Sequence, residues 1–259
     1  MPNAECRMED DTVRRVDPPF VIRHSSFDQW LIWQLVDSAF PTGGFAHSAG
    51  LEAAWQNGEV KNRRELISFV EAGLHQLGHA ALPFVIAAHS EPERVEEFDD
   101  LCDAFTTNHV ANRASRAQGK AFLTAVQRVF TAGQASRRSS SGNSLGNEIN
   151  METGKMPVLR FNHFACVFGA AMRRLDIPQE ITARLFFFNN LRSVMAAAVR
   201  LNIVGPMEAQ AMQHQLSSTA EEVLKACGSL TLDDIAQTSP LLEVWQGAQD
   251  RLYSRLFQS

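Results

Sequence analysis

The chain has 259 residues, of which 45% are hydrophobic, and a formal net charge of −5. This length and apolar content are enough for a sizeable core, in one large domain or two small ones. The acidic balance provides no general attraction to nucleic acid or to an anionic membrane, so neither is an expected partner.

Helical periodicity dominates the chain, and strand-type alternation of Val, Ile and Thr is nearly absent. The sequence therefore predicts an all-α fold, a single-domain bundle of about ten helices over residues 27–259, preceded by a disordered tail over 1–26. The first helix, 27–38, is apolar nearly all round, which predicts a central position. The predicted helices cover 27–38, 48–55, 62–79, 80–89, 92–109, 112–131, 158–175, 178–204, 206–220 and 241–257.

Residues 133–155 differ in kind, because serine, glycine and asparagine dominate and no apolar face is available to bury. This composition predicts a mobile insertion loop within the domain rather than a linker between two domains. The helix before it carries a narrow stripe of small residues that needs a closely packed partner, expected in the second half of the chain. The stripe consists of Ala114, Ala117, Ala121, Ala125 and Val129.

The chain is expected to reside in the cytoplasm. Its four cysteines (Cys6, Cys102, Cys166 and Cys227) lie far apart without a C-x-x-C pair, so neither a zinc ribbon nor a disulfide framework is predicted. The N-terminal residues lack the apolar run of a signal peptide. The longest stretch without charged carboxylate, lysine or arginine side chains, 72–90, contains three histidines and a proline, which favours buried helices over a membrane span.

Residues 38–52, with the sequence SAFPTGGFAHSAGLE, contain a proline and two glycines before a predicted helix. Proline fixes φ and glycine adopts backbone conformations closed to other residues, so a tight turn that carries Phe45 is predicted. A glycine turn before a helix is typical of phosphate sites. However, no Gly-Lys-Ser/Thr follows, and the third glycine of the dinucleotide fingerprint is absent. His47 and Ser48 are adjacent and face different sides of a helix, so with Glu52 they are expected to fix the turn rather than to catalyse.

No nucleophile–base pair is visible in the sequence, and an enzyme is not expected. His75 and His79 have the i, i+4 spacing that can hold a transition metal, although a hydrogen-bonded pair in a polar groove is the competing interpretation. Arg113, Arg116 and Lys120 form a basic stripe, which is either a solvated face or a site for an acidic partner.

The chain ends with RLYSRLFQS, which follows an apolar stripe made of Leu241, Trp245, Ala248, Leu252 and Leu256. Chain ends normally fray and become polar. An end with Leu-Phe beside arginines is therefore expected to dock, either on the core of this chain or on a partner.

Five stretches together resemble the UreF family of urease accessory proteins. They are LVDSAFPTGGFAHSAGLEAA, NRASRAQGKAFL (112–123), HFACVFGAA (163–171), LRSVMAAAVRLNIVGPMEAQ (191–210) and the terminal RLYSRLFQS. The resemblance implies an all-α homodimer without catalysis of its own, which binds the accessory protein UreD/UreH and recruits and regulates the GTPase UreG. It also implies nickel insertion into apo-urease, with Ni²⁺ handled transiently and no tightly bound cofactor.

The resemblance implies three groups of partner-binding residues. The turn contributes Pro41, Thr42, Gly43, Gly44, Phe45, His47 and Ser48, near the expected GTPase contact. The family pattern Arg-x-Ser-x-x-Gln-Gly is matched by Arg113, Ser115, Gln118 and Gly119. The tail contributes Tyr253, Arg255, Leu256 and Phe257, which are expected to order against UreD/UreH.

Two alternatives stay open. One is a freestanding metal-binding chaperone that uses His75 and His79. The other is a generic helical adaptor unrelated to urease. Where the family often has a histidine, this chain has Gln249, which puts a metal-handling role at that position in doubt.

Overall fold

The computed structural model describes residues 29–131 and 159–259. Within these ranges the chain is helical and no residue lies in a β-strand, which confirms the all-α prediction. The predicted tail (1–26) and insertion loop (133–155) lie outside the described residues. The α-helices are α1 (Gln29–Val36), α2 (Leu51–Gln56), α3 (Arg63–Ala80), α4 (Leu82–Ser90), α5 (Val95–Phe105), α6 (His109–Val126), α7 (Phe164–Arg174), α8 (Gln179–Arg200), α9 (Pro206–Cys227) and α10 (Pro240–Ala248).

The centre of the bundle is the pair α4 and α7. Both helices are apolar on nearly every side, and every residue of α7 from Phe164 to Met172 is buried. They approach closely because Gly169 has no side chain, and a Cβ there would overlap the carbonyl oxygen of Val85. Helices with a polar face surround this pair. Two of them begin at a side-chain cap: Asn62 accepts from Glu65 N (3.1 Å) before α3, and Asn108 accepts from Val110 N (3.0 Å) before α6.

Phenylalanines join α6 to α7. The rings of Phe122 and Phe168 lie 5.3 Å apart between centroids, within the usual range for aromatic pairs. Helix α6 thus has the partner in the second half that its small-residue stripe required. The stripe itself was only partly right, because Ala117 and Val129 are exposed, and the close approach is made by the buried Gly119 instead.

Helix α1 does not occupy the predicted central position. Trp30 is 76% exposed and Trp33 is 55% exposed, and Leu35 is the one residue of α1 that is buried. Leu35 belongs to the core, and Phe40 follows it there by packing on Phe122. The end of α1 is fixed to α8 because the Arg192 guanidinium donates to the carbonyl oxygen of Val36.

The predicted C-terminal helix, 241–257, is also wrong in its second half. Helix α10 ends at Ala248, a single 3₁₀ turn follows over Gln249–Arg251, and the remaining residues form an irregular segment with bends. Leu241 is 70% exposed, whereas Leu242 is buried and Trp245 packs against the core, so the predicted apolar stripe is only in part the packed face. In the described ranges, no helix is both long and apolar enough to cross a membrane.

Candidate functional site

The turn predicted from the proline and glycines is a rigid loop between α1 and α2. Gly43 has φ of +76°, which favours glycine, and Gly44–Ala46 form a 3₁₀ turn. A Cβ at Gly44 would lie only 2.9 Å from Ser193 Oγ, so the turn is pressed against α8. Phe45 is 68% exposed and stands at its tip, while Pro41 is exposed and Thr42 is buried.

The C-terminal tail, residues 252–259, docks on this turn by backbone hydrogen bonds. Gln258 N donates to the carbonyl oxygen of Ala46 (2.9 Å), and Ser48 N donates to that of Ser259 (2.5 Å). His47 Nδ1 and Ser259 Oγ are 2.5 Å apart. The tail therefore docks on the core of its own chain. We call residues 41–52 and 249–259 together the turn–tail site.

Glu52 anchors the tail. Its carboxylate is buried and accepts hydrogen bonds from Leu256 N (2.6 Å), Phe257 N (3.1 Å) and the Gln249 side-chain amide (2.5 Å). A buried carboxylate is costly unless donors surround it, and here the tail supplies them. The carboxylate thus holds the tail rather than the side chains of His47 or Ser48, and Glu52 was not among the predicted site residues.

Arg200, at the end of α8, clamps the tip of the turn to the tail. Its guanidinium carbon lies 4.2 Å from the ring centroid of Phe45 and 4.1 Å from that of Phe257. The same group donates to the carbonyl oxygens of Phe45 (2.7 Å) and Leu256 (3.4 Å). A cation between two aromatic rings is favourable on both faces. Sequence reasoning missed this clamp.

A second set of contacts ties the tail to α6. The Asp250 carboxylate accepts two hydrogen bonds from Arg113 (2.9 and 3.1 Å) and one from Arg255 (3.0 Å), and His109 lies 3.2 Å away. The hydrogen bond from Arg113 lowers the pKa of Asp250, and the pKa of Arg113 is raised in return. Arg113 and Arg255 are therefore joined by one carboxylate.

His47 sits inside the turn–tail site, half-buried. Burial and the nearby positive charge of Arg113 lower the pKa of His47 below its usual range. Ser48 is fully buried and Phe257 nearly so, which makes both of them internal supports. Tyr253 is fully exposed and Leu256 is 59% exposed, so these two side chains and Phe45 are the apolar groups that face outwards.

The other residues of the 113–119 motif connect the turn to the start of α7. Gln118 packs under Gly43 and Gly44. The Ser115 hydroxyl accepts a hydrogen bond from Phe164 N (3.1 Å). At Gly119 a Cβ would overlap the carbonyl oxygen of Asn162, so only glycine allows this backbone approach.

A buried polar network supports that junction from behind. Asp99 is fully buried and accepts hydrogen bonds from the backbone N–H groups of residues 161–163 (2.7–2.9 Å). His163 lies between Ser115 Oγ (3.2 Å) and Asp103 (3.1 Å), and although burial opposes it, Cys102 and Asp103 raise the pKa of His163. The residue types match a catalytic triad, and sequence reasoning missed them because they lie far apart in the chain. The serine oxygen, however, is already engaged by the start of α7, which favours a structural role.

The two histidines considered for metal binding are not part of a larger cluster of metal-ligating side chains in the described residues. His79 Nδ1 lies 2.9 Å from the carbonyl oxygen of His75 and 3.6 Å from Cys227 Sγ. Across residues 29–131 and 159–259, no group of three or more His, Cys, Asp or Glu side chains is placed to hold a metal ion. Gln249 contributes its amide to Glu52, and its buried Oε1 has no hydrogen-bond partner among the described residues.

Comparison with known families decides the relationship. Residues 60–217 match the family model named UreF, which is more than half of the chain. The chain belongs to the UreF family. The family resemblance is thereby confirmed, and an adaptor unrelated to urease is excluded.

Relatives extend the UreF match to the turn and the tail. The chain is 37% identical to urease accessory protein F of Oryza sativa subsp. indica, over 98% of this chain and 91% of that protein. It is 39% identical to urease accessory protein F of Arabidopsis thaliana, over 97% of this chain and 100% of that protein. A UreF-like protein of Schizosaccharomyces pombe is 29% identical over 87% of this chain and 94% of its own length. This UreF-family chain thus has relatives that are named as accessory proteins rather than as enzymes.

Proposed function

We propose that this UreF-family chain is a nickel-insertion chaperone for urease. As a homodimer it binds the accessory protein UreD/UreH and recruits the GTPase UreG. It regulates UreG by binding one nucleotide state more tightly than the other, because only differential affinity can shift such an equilibrium. Ni²⁺ is the cargo of the assembly, which delivers it to apo-urease in the cytoplasm.

The observation that carries this proposal is the turn–tail site. It presents three exposed apolar side chains (Phe45, Tyr253 and Leu256) on a backbone held by Glu52 and Arg200. Exposed aromatic groups on a rigid frame are typical of the residues that dominate protein–protein binding. Because the backbone of the turn–tail site is already held by hydrogen bonds, this chain loses little conformational entropy when a partner binds.

The test is co-expression of this chain with urease and its accessory proteins, followed by co-purification and assay of nickel-dependent urease. Truncating Tyr253 and Leu256 to alanine should weaken retention of UreD/UreH by about 10-fold or more, as expected for two central contacts. The matched control is Met207→Ala, which removes an exposed apolar side chain elsewhere, on α9. If the wild type, the Tyr253/Leu256 variant and the Met207→Ala control all retain UreD/UreH equally, the turn–tail site is not the binding site.

Deletion of the last nine residues provides a harsher version of the test. The truncated chain should lose UreD/UreH binding and keep most of its helical circular dichroism, since residues 251–259 contribute one residue to the 3₁₀ turn and none to an α-helix. Co-purification of UreD/UreH with the truncated chain would contradict a role for the tail in binding.

Calorimetry with Ni²⁺ separates a positioning role from the alternative of a freestanding metal chaperone. A delivered ion must leave, so we expect no site of micromolar affinity in this chain alone. Stoichiometric tight binding that is lost in His79→Gln would favour the alternative, because His79 is one of its two proposed ligands and lies 3.6 Å from the thiol of Cys227.

A further inference from the structure

Helix α6 carries positive charge without any compensating acid of its own. Its 18 residues contain Arg113, Arg116 and Lys120 but no Asp or Glu, although the whole chain has a net charge of −5. All three side chains are exposed. Arg113 is paired with Asp250, whereas Arg116 and Lys120 form no ion pair in the part of the chain that the structure describes.

A fourth cation joins this face from the segment before α7. The guanidinium carbons of Arg116 and Arg160 each lie 5.0 Å from the ring centroid of Phe161. Phe161 is itself fixed, because its backbone N–H donates to the buried carboxylate of Asp99 (2.8 Å). Two like charges are thus brought together on one ring. Arg160, like Arg116, has no carboxylate within 4.0 Å among the described residues.

An open groove of about 800 Å³ borders two of these cations, Arg113 and Arg116. Its lining also includes Ala104, Thr106, Thr107, His109 and Asn112. Asp103 also lines it, but that carboxylate is occupied by Asn112 (2.8 Å) and His163 (3.1 Å). Asn112, His109 and Arg113 already contact carboxylates, whereas Arg116 lines the groove without an ion pair among the described residues.

We propose that this basic face (Arg113, Arg116, Lys120, Arg160 and Phe161) is a docking surface for a glutamate- and aspartate-rich segment of a partner protein. Planar guanidinium groups held by stacking are preorganised for bidentate binding of carboxylates. The open groove beside them accommodates an extended segment better than a compact ligand. Arg113 also holds Asp250 of the turn–tail site, so the test leaves Arg113 unchanged and varies Arg116 and Arg160. The inference does not depend on the role in urease maturation.

The test uses the full chain and a fluorescein-labelled peptide of about eight glutamates, followed by fluorescence anisotropy at low salt, where exposed charges interact over a longer range. Arg116→Gln/Arg160→Gln should raise the peptide Kd by about 5- to 20-fold, given two partly exposed ion pairs. The matched control, Arg64→Gln/Lys225→Gln, removes the same charge from exposed positions elsewhere and should change Kd by less than about twofold.

The variant Arg116→Lys/Arg160→Lys keeps the positive charge but removes the planar guanidinium groups. Its peptide Kd should lie between those of the wild type and the glutamine variant. Equal weakening by the control variant would overturn the proposal, because the peptide would then be responding to net charge. Absence of saturable binding up to about 1 mM peptide would overturn it as well. Tighter binding of a single-stranded RNA of equal charge, abolished by the same glutamine variant, would replace it with a nucleic-acid surface.

Discussion

Glu52→Gln tests the anchor of the tail with almost no change in shape. The carboxylate of Glu52 has three donors, namely Leu256 N, Phe257 N and the Gln249 amide. An amide has one oxygen and one NH₂ group, so at least one of these donors must face another donor in the variant. The other bonds also lose the strengthening that comes from the negative charge.

The expected cost follows from these contacts. A buried donor left without an acceptor costs about 1–3 kcal/mol, and a bond to a charged group contributes about 1.5–3 kcal/mol. The partial solvation of Leu256 N reduces the total, because that N–H is only part-buried and water can reach it. We expect the tail to be destabilised by about 2–4 kcal/mol, which makes its opening about 30-fold more frequent or greater.

Trypsin measures this opening directly, since it cleaves after Arg255 only when Leu256 N leaves Glu52. Under native conditions the cleavage rate follows the open population, so Glu52→Gln should be cut about 30-fold faster than the wild type. The control is Glu59→Gln, which removes the same charge from an exposed position just beyond α2. If both variants are cut at the wild-type rate, Glu52 does not hold the tail and the docking energy lies elsewhere.

Two further predictions concern pH and backbone approach. Burial lowers the pKa of His47, so the docked tail favours the neutral imidazole, and this contribution is complete above about pH 6.5 and lost as the pH falls below it. After correction for intrinsic rates, hydrogen exchange of the tail should become faster as the pH falls from about 7.5 to 5.5 in the wild type, but not in His47→Gln. Identical pH profiles for the two proteins would contradict this. Gly119→Ala should lower stability by more than about 2 kcal/mol because its Cβ would overlap the Asn162 carbonyl oxygen. Gly73→Ala, in open space on α3, should be neutral or stabilising by up to about 1 kcal/mol, and equal melting temperatures for the two variants would refute the close approach.

The pH experiment needs a measurement on the tail itself, because His47 and His163 change the stability of the protein in opposite directions as the pH falls. His163 has a raised pKa, so its contribution to stability is present at low pH and is lost as the pH rises through the folded-state pKa. A global melting curve would add this to the opposite contribution of His47. Asp250 keeps its charge throughout the window, because its pKa is lowered by Arg113.

The sequence predicted those parts of the molecule that depend on local rules. Apolar spacing identified the helices of the bundle, and the proline and glycines identified the turn before α2. The position of the tail was not predictable in the same way. Glu52 and Asp99 bind backbone N–H groups, which every residue except proline possesses, so no residue type in the tail or at 161–163 reveals the partner.

Helix α1 shows the opposite failure, where a local rule was applied without its context. An apolar surface on all sides is typical of a buried helix, yet two tryptophans of α1 face outwards. In the 113–119 motif the sequence identified residues that lie at the site, but it did not predict which segment each of them contacts. Arg113 holds the tail, Gln118 supports the turn, and Ser115 with Gly119 receives the start of α7.

The backbone contact at Gly119 makes α6 a helix that the tail, the start of α7 and the aromatic core share. Its main chain lies against the main chain of Asn162, so no side chain separates the two segments there. Within two turns on one side α6 holds Asp250 through Arg113, and within one turn on the other side it places Phe122 against Phe168. A substitution at Gly119 would therefore disturb the docking of the tail and the packing of the core together.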